Sequence, residues 1–329
     1  MQENVHKMSP LMLACIYGHT TVARLLIEHS AIVDDQDDCG GTALMKAAAE
    51  GHLECCKLLI AASCIVDAED KEGYTALLLA IQNNHLQVVE YLINAGANFS
   101  ICSAEGDSPI FTSLAMGNNK IASLLLKKST GLELKYGRHK QSLLHRVIMH
   151  CGEQTAYDNI YLLASTEGFD ISVRNRMGQN AAFYAAHFNY FTVLEFFRVK
   201  GIDPFAKDRT GNSLLHFCCS SRSVAFIIDW MLEKNNSDYV VLQEINHPNS
   251  LGNTPLHIAY AFSDKDHIDL LLSKGADPQA KNKNGNTPAQ MIYCSRSRLL
   301  PFYSYDKEAP HCGGILIGKL SGSIDLLCP

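Results

Sequence analysis

The stretch Gly252–Phe262, GNTPLHIAYAF, recurs in worn form along most of the chain. Gly40 opens GGTALMKAAAEG, Gly73 opens GYTALLLAIQNN, Gly211 opens GNSLLHFCCSS and Gly285 opens GNTPAQMI. The Ser, Thr or Asn of each phrase serves as an anchor: Ser9, Thr42, Thr75, Ser108, Ser142, Asn180, Ser213, Thr254 and Thr287. Successive separations are 33, 33, 33, 34, 38, 33, 41 and 33 residues. A fixed period of this length marks stacked structural repeats, each too small to bury its own apolar face.

Each position in the phrase has a mechanical reason. A Ser, Thr or Asn before an apolar run caps a helix by accepting a backbone N–H bond. Pro10, Pro109, Pro255 and Pro288 follow their anchors, at the first helical position, where a missing N–H costs nothing. Two residues before the anchor, Gly suits a turn that needs positive φ. Five residues after it, small side chains such as Ala14, Ala47, Ala80 and Ala259 let neighbouring helices approach closely. A second apolar helix follows, as in VARLLIEHSA (22–31) and VVEYLINAGA (88–97). Each unit reads as turn, short helix, turn, helix.

This phrase resembles the ankyrin repeat. Thr254-Pro255-Leu256-His257-Ile258-Ala259 matches its T-P-L-H-x-A signature letter for letter. Gly18-His19 and Gly51-His52 match the family's Gly-His between helices, and Gly275-Ala276-Asp277 matches its usual ending. The resemblance implies an all-α solenoid of about nine helix-turn-helix repeats with short β-hairpin loops over residues 1–298. It leaves 299–329 as a C-terminal tail that can cover the last repeat. The 38-residue spacing predicts extra chain around Cys151–Asn159, and the 41-residue spacing predicts it around Lys234–Leu242.

Composition narrows the function. Of the 329 residues, 47% are hydrophobic and 19% charged, as in a folded, soluble protein. No apolar run approaches the roughly 18 residues of a membrane helix, and the polar start MQENVHKMSP lacks a signal-peptide core. The reading is therefore a cytoplasmic chain, with the nucleus left open, that does not insert in a membrane and whose twelve cysteines stay reduced and mostly buried. Net charge is −6, which argues against nucleic acid as partner. The charge is uneven: −8 over residues 1–100, +3 over 101–210 and −1 over 211–329.

Nothing in the sequence assembles a catalytic or cofactor site. His145, His216 and His257 fall where the resemblance gives His the task of bonding the anchor hydroxyl. Phosphate-loop, nucleophile-elbow and H-E-x-x-H motifs do not occur. No enzyme activity, cofactor or metal is expected.

What the repeats expose is a surface for another protein, since the family binds partners through hairpin tips and the inner face of its first helices. Tyr17, Met116, Met149, Phe188 and Phe262 are large apolar residues at the end of first helices, where interface anchors are expected. Asp34, Asp35, Asp37, Asp38, Asp67, Glu69, Asp70 and Glu72 make the early tips acidic. Arg138, Lys140, Arg174, Arg176 and Arg209, with Lys135, Lys207, Lys281 and Lys283, make the later tips basic. The partner expected is an acidic protein segment with apolar anchors, held by a scaffold or adaptor over repeats 4 to 8. The alternative reading is a regulatory or targeting arm of a larger enzyme, ubiquitin ligase or channel.

Overall fold

The computed structural model describes residues 7–128, 142–262 and 264–293. These fall into two compact units, one ahead of the 129–141 segment and one after it. The N-terminal unit holds four helix pairs: α1 (Pro10–Ile16) with α2 (Thr20–Glu28), α3 (Ala43–Ala49) with α4 (Leu53–Ala61), α5 (Ala76–Gln82) with α6 (Leu86–Asn94), and α7 (Pro109–Ala115) with α8 (Asn119–Lys128). The C-terminal unit holds α9 (Leu143–His150), α10 (Glu153–Ala164), α11 (Ala181–Phe188), α12 (Phe191–Val199), α13 (Leu214–Phe217), α14 (Ser221–Asn235), α15 (Asp238–Ile245), α16 (Pro255–Phe262) and α17 (Lys265–Ser273). The ninth anchor opens a 3-10 turn, Pro288–Tyr293. The rest of the ninth repeat and the tail 299–329 lie outside the described residues.

Several anchors cap as their chemistry requires, whereas the Ser142 and Ser213 hydroxyls bond a histidine ring instead. Thr42, Thr75 and Ser108 accept from the N–H three residues on, at 3.4, 3.3 and 3.3 Å, and Asn180 accepts from Ala182 N–H at 3.1 Å. First helices then stack on first helices within each unit, α1 on α3 on α5 on α7 and α9 on α11 on α13. The small residues between them are sealed: Ala47, Ala80, Ala185 and Ala259 are 0% exposed.

The expected β-hairpin loops close without strands among the described residues, apart from one isolated bridge, Lys207 with Ser213. Seven tips share one turn instead. In the tip 249–253, Gly252 N–H donates to the Asn249 carbonyl at 2.8 Å, and Asn249 N–H donates to the Asn253 carbonyl at 2.8 Å. This is a type I turn followed by a left-handed glycine, with Gly252 at φ +79°. A Cβ there would also lie 2.7 Å from the backbone nitrogen of Lys283 in the next tip. Glycine is required at Gly252 on both counts.

Both length anomalies resolve. In the fifth repeat the second helix, α10, begins at the usual offset and is simply longer, 12 residues against nine in α4 and α6. The excess therefore lies at its far end, past the predicted 151–159 stretch. In the seventh repeat α13 is cut to four residues, α14 extends to 15, and α15 is an added helix. Asn246, just after α15, still accepts from Asp277 N–H at 2.7 Å, as Asp34 does from Ile65 N–H at 2.9 Å, so the insertion leaves the inter-repeat register intact. Cys15, Cys55, Cys56, Cys64, Cys151 and Cys218 are buried free thiols. No helix among the described residues is long and apolar enough to cross a membrane.

Candidate protein-binding surface

The tips of the C-terminal unit are joined at two levels. Along the main chain, Arg209 N–H donates to the Met177 carbonyl at 2.7 Å, Ser250 N–H to Thr210 at 2.7 Å, and Lys283 N–H to Leu251 at 3.0 Å. Beneath them runs a ladder of buried amides and a carboxylate. Gln179 Nε2 donates to Asp208 Oδ2 at 3.0 Å, Asn249 Nδ2 to Asn212 Oδ1 at 2.8 Å, and Asn282 Nδ2 to Asn253 Oδ1 at 2.8 Å. The Asx side chain five residues before each anchor also folds its own tip: Asn249 Oδ1 accepts from Leu251 and Asn253 N–H groups. Reading the sequence for helices missed these residues, although Asp37, Asp70, Asn175, Asp208, Asn249 and Asn282 recur at that offset.

Burying the Asx leaves its two neighbours facing solvent. In the last four repeats those neighbours are Arg174 and Arg176, Lys207 and Arg209, Pro248 and Ser250, Lys281 and Lys283. None of the eight is acidic and six are cationic. Arg174 is partly committed, because its guanidinium donates to the Gly178 and Lys207 carbonyls at 3.1 and 3.0 Å. Lys207 pairs with Glu244 at 3.1 Å. Arg176, Arg209, Lys281 and Lys283 stay exposed. Arg138 and Lys140, with Lys135, lie outside the described residues.

The apolar candidates do not form one set. Phe188 ends α11 half-buried, its ring 5.1 Å from His187 and 5.7 Å from Tyr190. Beside it, Cys219 Sγ lies 3.3 Å from His187 Nδ1. Phe262 is half-buried and packs against the cluster of Ile258, Ala261 and Met291. Met149 is half-buried on α9. Tyr17, 67% exposed, and half-buried Met116 belong to the N-terminal unit.

The histidines of the phrase act as ties. His145 Nε2–H donates to the Gln179 carbonyl at 2.9 Å, His216 to Asn253 at 3.0 Å and His257 to Asn286 at 3.1 Å. Each Nδ1 is thereby left to accept from its own anchor hydroxyl, at 2.6, 3.0 and 2.9 Å. Burial drives the pKa of His145 and His216 down to about 4, so both bond as neutral imidazoles.

A family model described as Ankyrin repeats (3 copies) matches residues 1–68, 62–136 and 182–282. The chain belongs to the ankyrin-repeat family. Among curated ankyrin-repeat relatives it is 27% identical over 175 residues to the rat "Nuclear factor NF-kappa-B p105 subunit", covering 53% of this chain and 17% of that protein. It is 29% identical over 121 residues to the human "NF-kappa-B inhibitor alpha", covering 36% of this chain and 37% of that one. It is 38% identical over 61 residues to the fowlpox virus "Putative ankyrin repeat protein FPV230", covering 18% and 32%. The chain thus spans about a sixth to a third of these relatives. The crystal structure of the ankyrin repeat domain of Bcl-3 superposes with a TM-score of 0.59 at 18% identity, over 68% of this chain and 99% of that one. A chain in the complex of the Bdellovibrio bacteriovorus predatory endopeptidase Bd0816 with immunity protein Bd3460 superposes at 0.51 with 28% identity, over 59% and 100%. A protein–protein interaction domain is what these likenesses support.

Proposed function

We propose that the chain is a non-catalytic, cytoplasmic adaptor whose C-terminal unit takes an acidic protein segment with apolar anchors. The observation that carries the reading is the cationic row on the linked tips, six of eight positions with no acid among them. Its main-chain bonds hold neighbouring tips in fixed register, so the charges are presented without an ordering cost on binding. Arg176, Arg209, Lys281 and Lys283 would steer and orient the acidic side chains, and Phe188 would supply a half-buried apolar seat.

An array of acidic peptides with leucine or aromatic anchors, probed with the full chain at low and high salt, tests this. Binding should weaken with salt and with Arg176→Glu/Arg209→Glu. Phe188→Ala should lose roughly 5- to 1,000-fold in affinity, which corresponds to about 1–4 kcal/mol. Binding that survives both changes, or a preference for basic peptides, would sink the reading.

A further inference from the structure

The main-chain bonds that link the C-terminal tips also fix which residues stand side by side along their crest. Each bond joins the third residue of one turn to the second residue of the next: Met177 to Arg209, Thr210 to Ser250 and Leu251 to Lys283, at 2.7, 2.7 and 3.0 Å. The crest therefore carries an apolar residue beside a cation, then two hydroxyls, then an apolar residue beside a cation again. Arg209 leans back on the preceding tip, where a Cβ added to Gly178 would lie 3.2 Å from its Cγ. Leu251 is 51% exposed, Met177 is half-buried, and Arg209 and Lys283 are exposed. The turn itself asks for no apolar residue here, since Gly, Asn, Asp and Ser suit its crest. One exposed leucine needs no explanation. The same apolar–cation pair, set twice in the same order, does.

We propose that the ligand is an extended segment with two acidic–apolar pairs whose like members stand about six residues apart. The proposal rests on the acidic-segment reading above and adds the spacing that the tips select. Stacked helices lie about 8–10 Å apart, and the tips keep that register because the insertion before the third of them leaves the inter-repeat ties intact. The two apolar–cation pairs are two repeats apart, a span of about 16–20 Å. An extended chain rises about 3.3 Å per residue and covers that span in roughly five to six residues. Its acids then meet Arg209 and Lys283, its apolar side chains meet Met177 and Leu251, and its middle passes over Thr210 and Ser250. Once one pair is seated, the second binds intramolecularly, with an effective concentration that peaks when the linker matches the span. A segment with closer pairs seats only one of them.

Fluorescence polarisation of the full chain with two sets of labelled peptides tests this. Both sets carry two Leu-Glu pairs, or two Glu-Leu pairs for the opposite chain direction, in a Ser/Gly background of equal length. Like members stand about six residues apart in one set and about three in the other. In one of the two directions the wider spacing should bind at least about tenfold tighter. Leu251→Ser should abolish that advantage and leave the closer-spaced peptide within about twofold of its original affinity. The Leu251 tie to Lys283 runs through the main chain, so the variant keeps the tips joined, and Met177→Ser provides the same test at the other pair. Equal affinity at both spacings, or an advantage that survives both variants, overturns the inference and leaves the acidic-segment reading standing. Failure of every acidic peptide to bind overturns both.

Discussion

The two units repeat one phrase and hold their copies together at different places. In the N-terminal unit the side-chain ties lie in the loop between paired helices. His52 Nε2–H donates to the Ile16 carbonyl at 2.9 Å, His85 to Ala49 at 2.9 Å, and Asn118 Nδ2 to Ile81 at 2.8 Å. A Cβ on Gly18 would sit 2.7 Å from the His52 ring, so the Gly-His pair is an interlock in which one repeat's glycine makes room for the next repeat's histidine. The helix-start positions are apolar there, Met12, Met45, Leu78 and Phe111. The C-terminal unit keeps such loop ties, as from Tyr190 Oη–H to the Cys151 carbonyl at 2.8 Å, and adds ties at the tip bases through His145, His216 and His257 and the amide ladder below the cations. Buried polar networks of this kind hold geometry more strictly than apolar contacts, provided every member is satisfied. Main-chain bonds join the tips in both units, Lys71 N–H to the Cys39 carbonyl and Ala104 N–H to Glu72 in the first, and the unit that presents the cationic row adds the side-chain ladder beneath them.

Acid should separate the units most. Burial lowers His145, His187, His216 and His267 to about 4, all in the C-terminal unit. Once the pH falls below the ordinary histidine value near 6.5, the unfolded chain takes up protons that the folded unit refuses. The stability these groups give is whole above that value and is lost progressively toward pH 4, about 2–3 kcal/mol for each fully buried ring. In the N-terminal unit burial opposes ionisation of Asp37, but the Lys46 ammonium at 2.7 Å and the Gly41 and Cys39 N–H groups outweigh it. Its carboxyl is held below the usual range, so that contribution is lost only in stronger acid. Trp230, the chain's one tryptophan, is buried in α14 and reports the C-terminal unit alone. Its emission should shift red between pH 6 and 4, while hydrogen exchange still finds α3 to α6 protected. Simultaneous loss of both would break the comparison.

A buried charge should be equally damaging in either unit, because first-helix packing is common to both. Ala80→Glu and Ala259→Glu each force a carboxylate into a site that is 0% exposed and should cost about 3–5 kcal/mol. A melting temperature that hardly moves for either would show that the helical register differs from the one described.

The third comparison isolates the ties. His216→Leu leaves the Ser213 hydroxyl buried without its acceptor and strips one of the two bonds from the Asn253 carbonyl, which keeps the Asn249 N–H, at a cost of about 2 kcal/mol. His52→Leu strips one bond from a half-buried loop that water can reach, for roughly 1 kcal/mol or less. Equal losses in denaturant titrations would mean that the tip ladder holds no more than the loop.

The fold was legible because its signals are local. Anchor hydroxyls, positive-φ glycines and small residues at fixed offsets each constrain one turn of helix, and Thr254-Pro255-Leu256-His257 carries most of them at once. The binding surface was only half legible. Exposure of Arg176 and Arg209 follows from the tip register, but the engagement of Arg174 with two carbonyls depends on where the next tip lies. Phe188 and Phe262 share an offset, yet Phe262 packs against a cluster that takes in Met291 of the following repeat, a packing fact no single phrase contains. The excess chain of the fifth repeat was misplaced because a longer α10 has the same helical pattern as a normal one. Asx residues five before each anchor were visible, but their meaning needs the turn they close.

The smallest effect tests a residue that breaks the repeat's own rule. His267 stands thirteen residues after Thr254, where Cys55, Val88, Ile121 and Val193 are apolar and 0–1% exposed. It is itself 0% exposed on α17, and neither ring nitrogen has a hydrogen-bond partner among the described residues. An imidazole desolvated without a bond costs free energy that valine would not, although valine fills less volume and gives back part of the gain as a cavity. His267→Val should therefore raise stability by about 1 kcal/mol at neutral pH. It should also move the acid transition read by Trp230 downward, because one of the four groups that protonate on unfolding is gone. A loss of stability at pH 7 would show that the ring has a bonding role in the folded unit. An unchanged acid midpoint would show that the remaining histidines alone set the lower stability limit of the C-terminal unit.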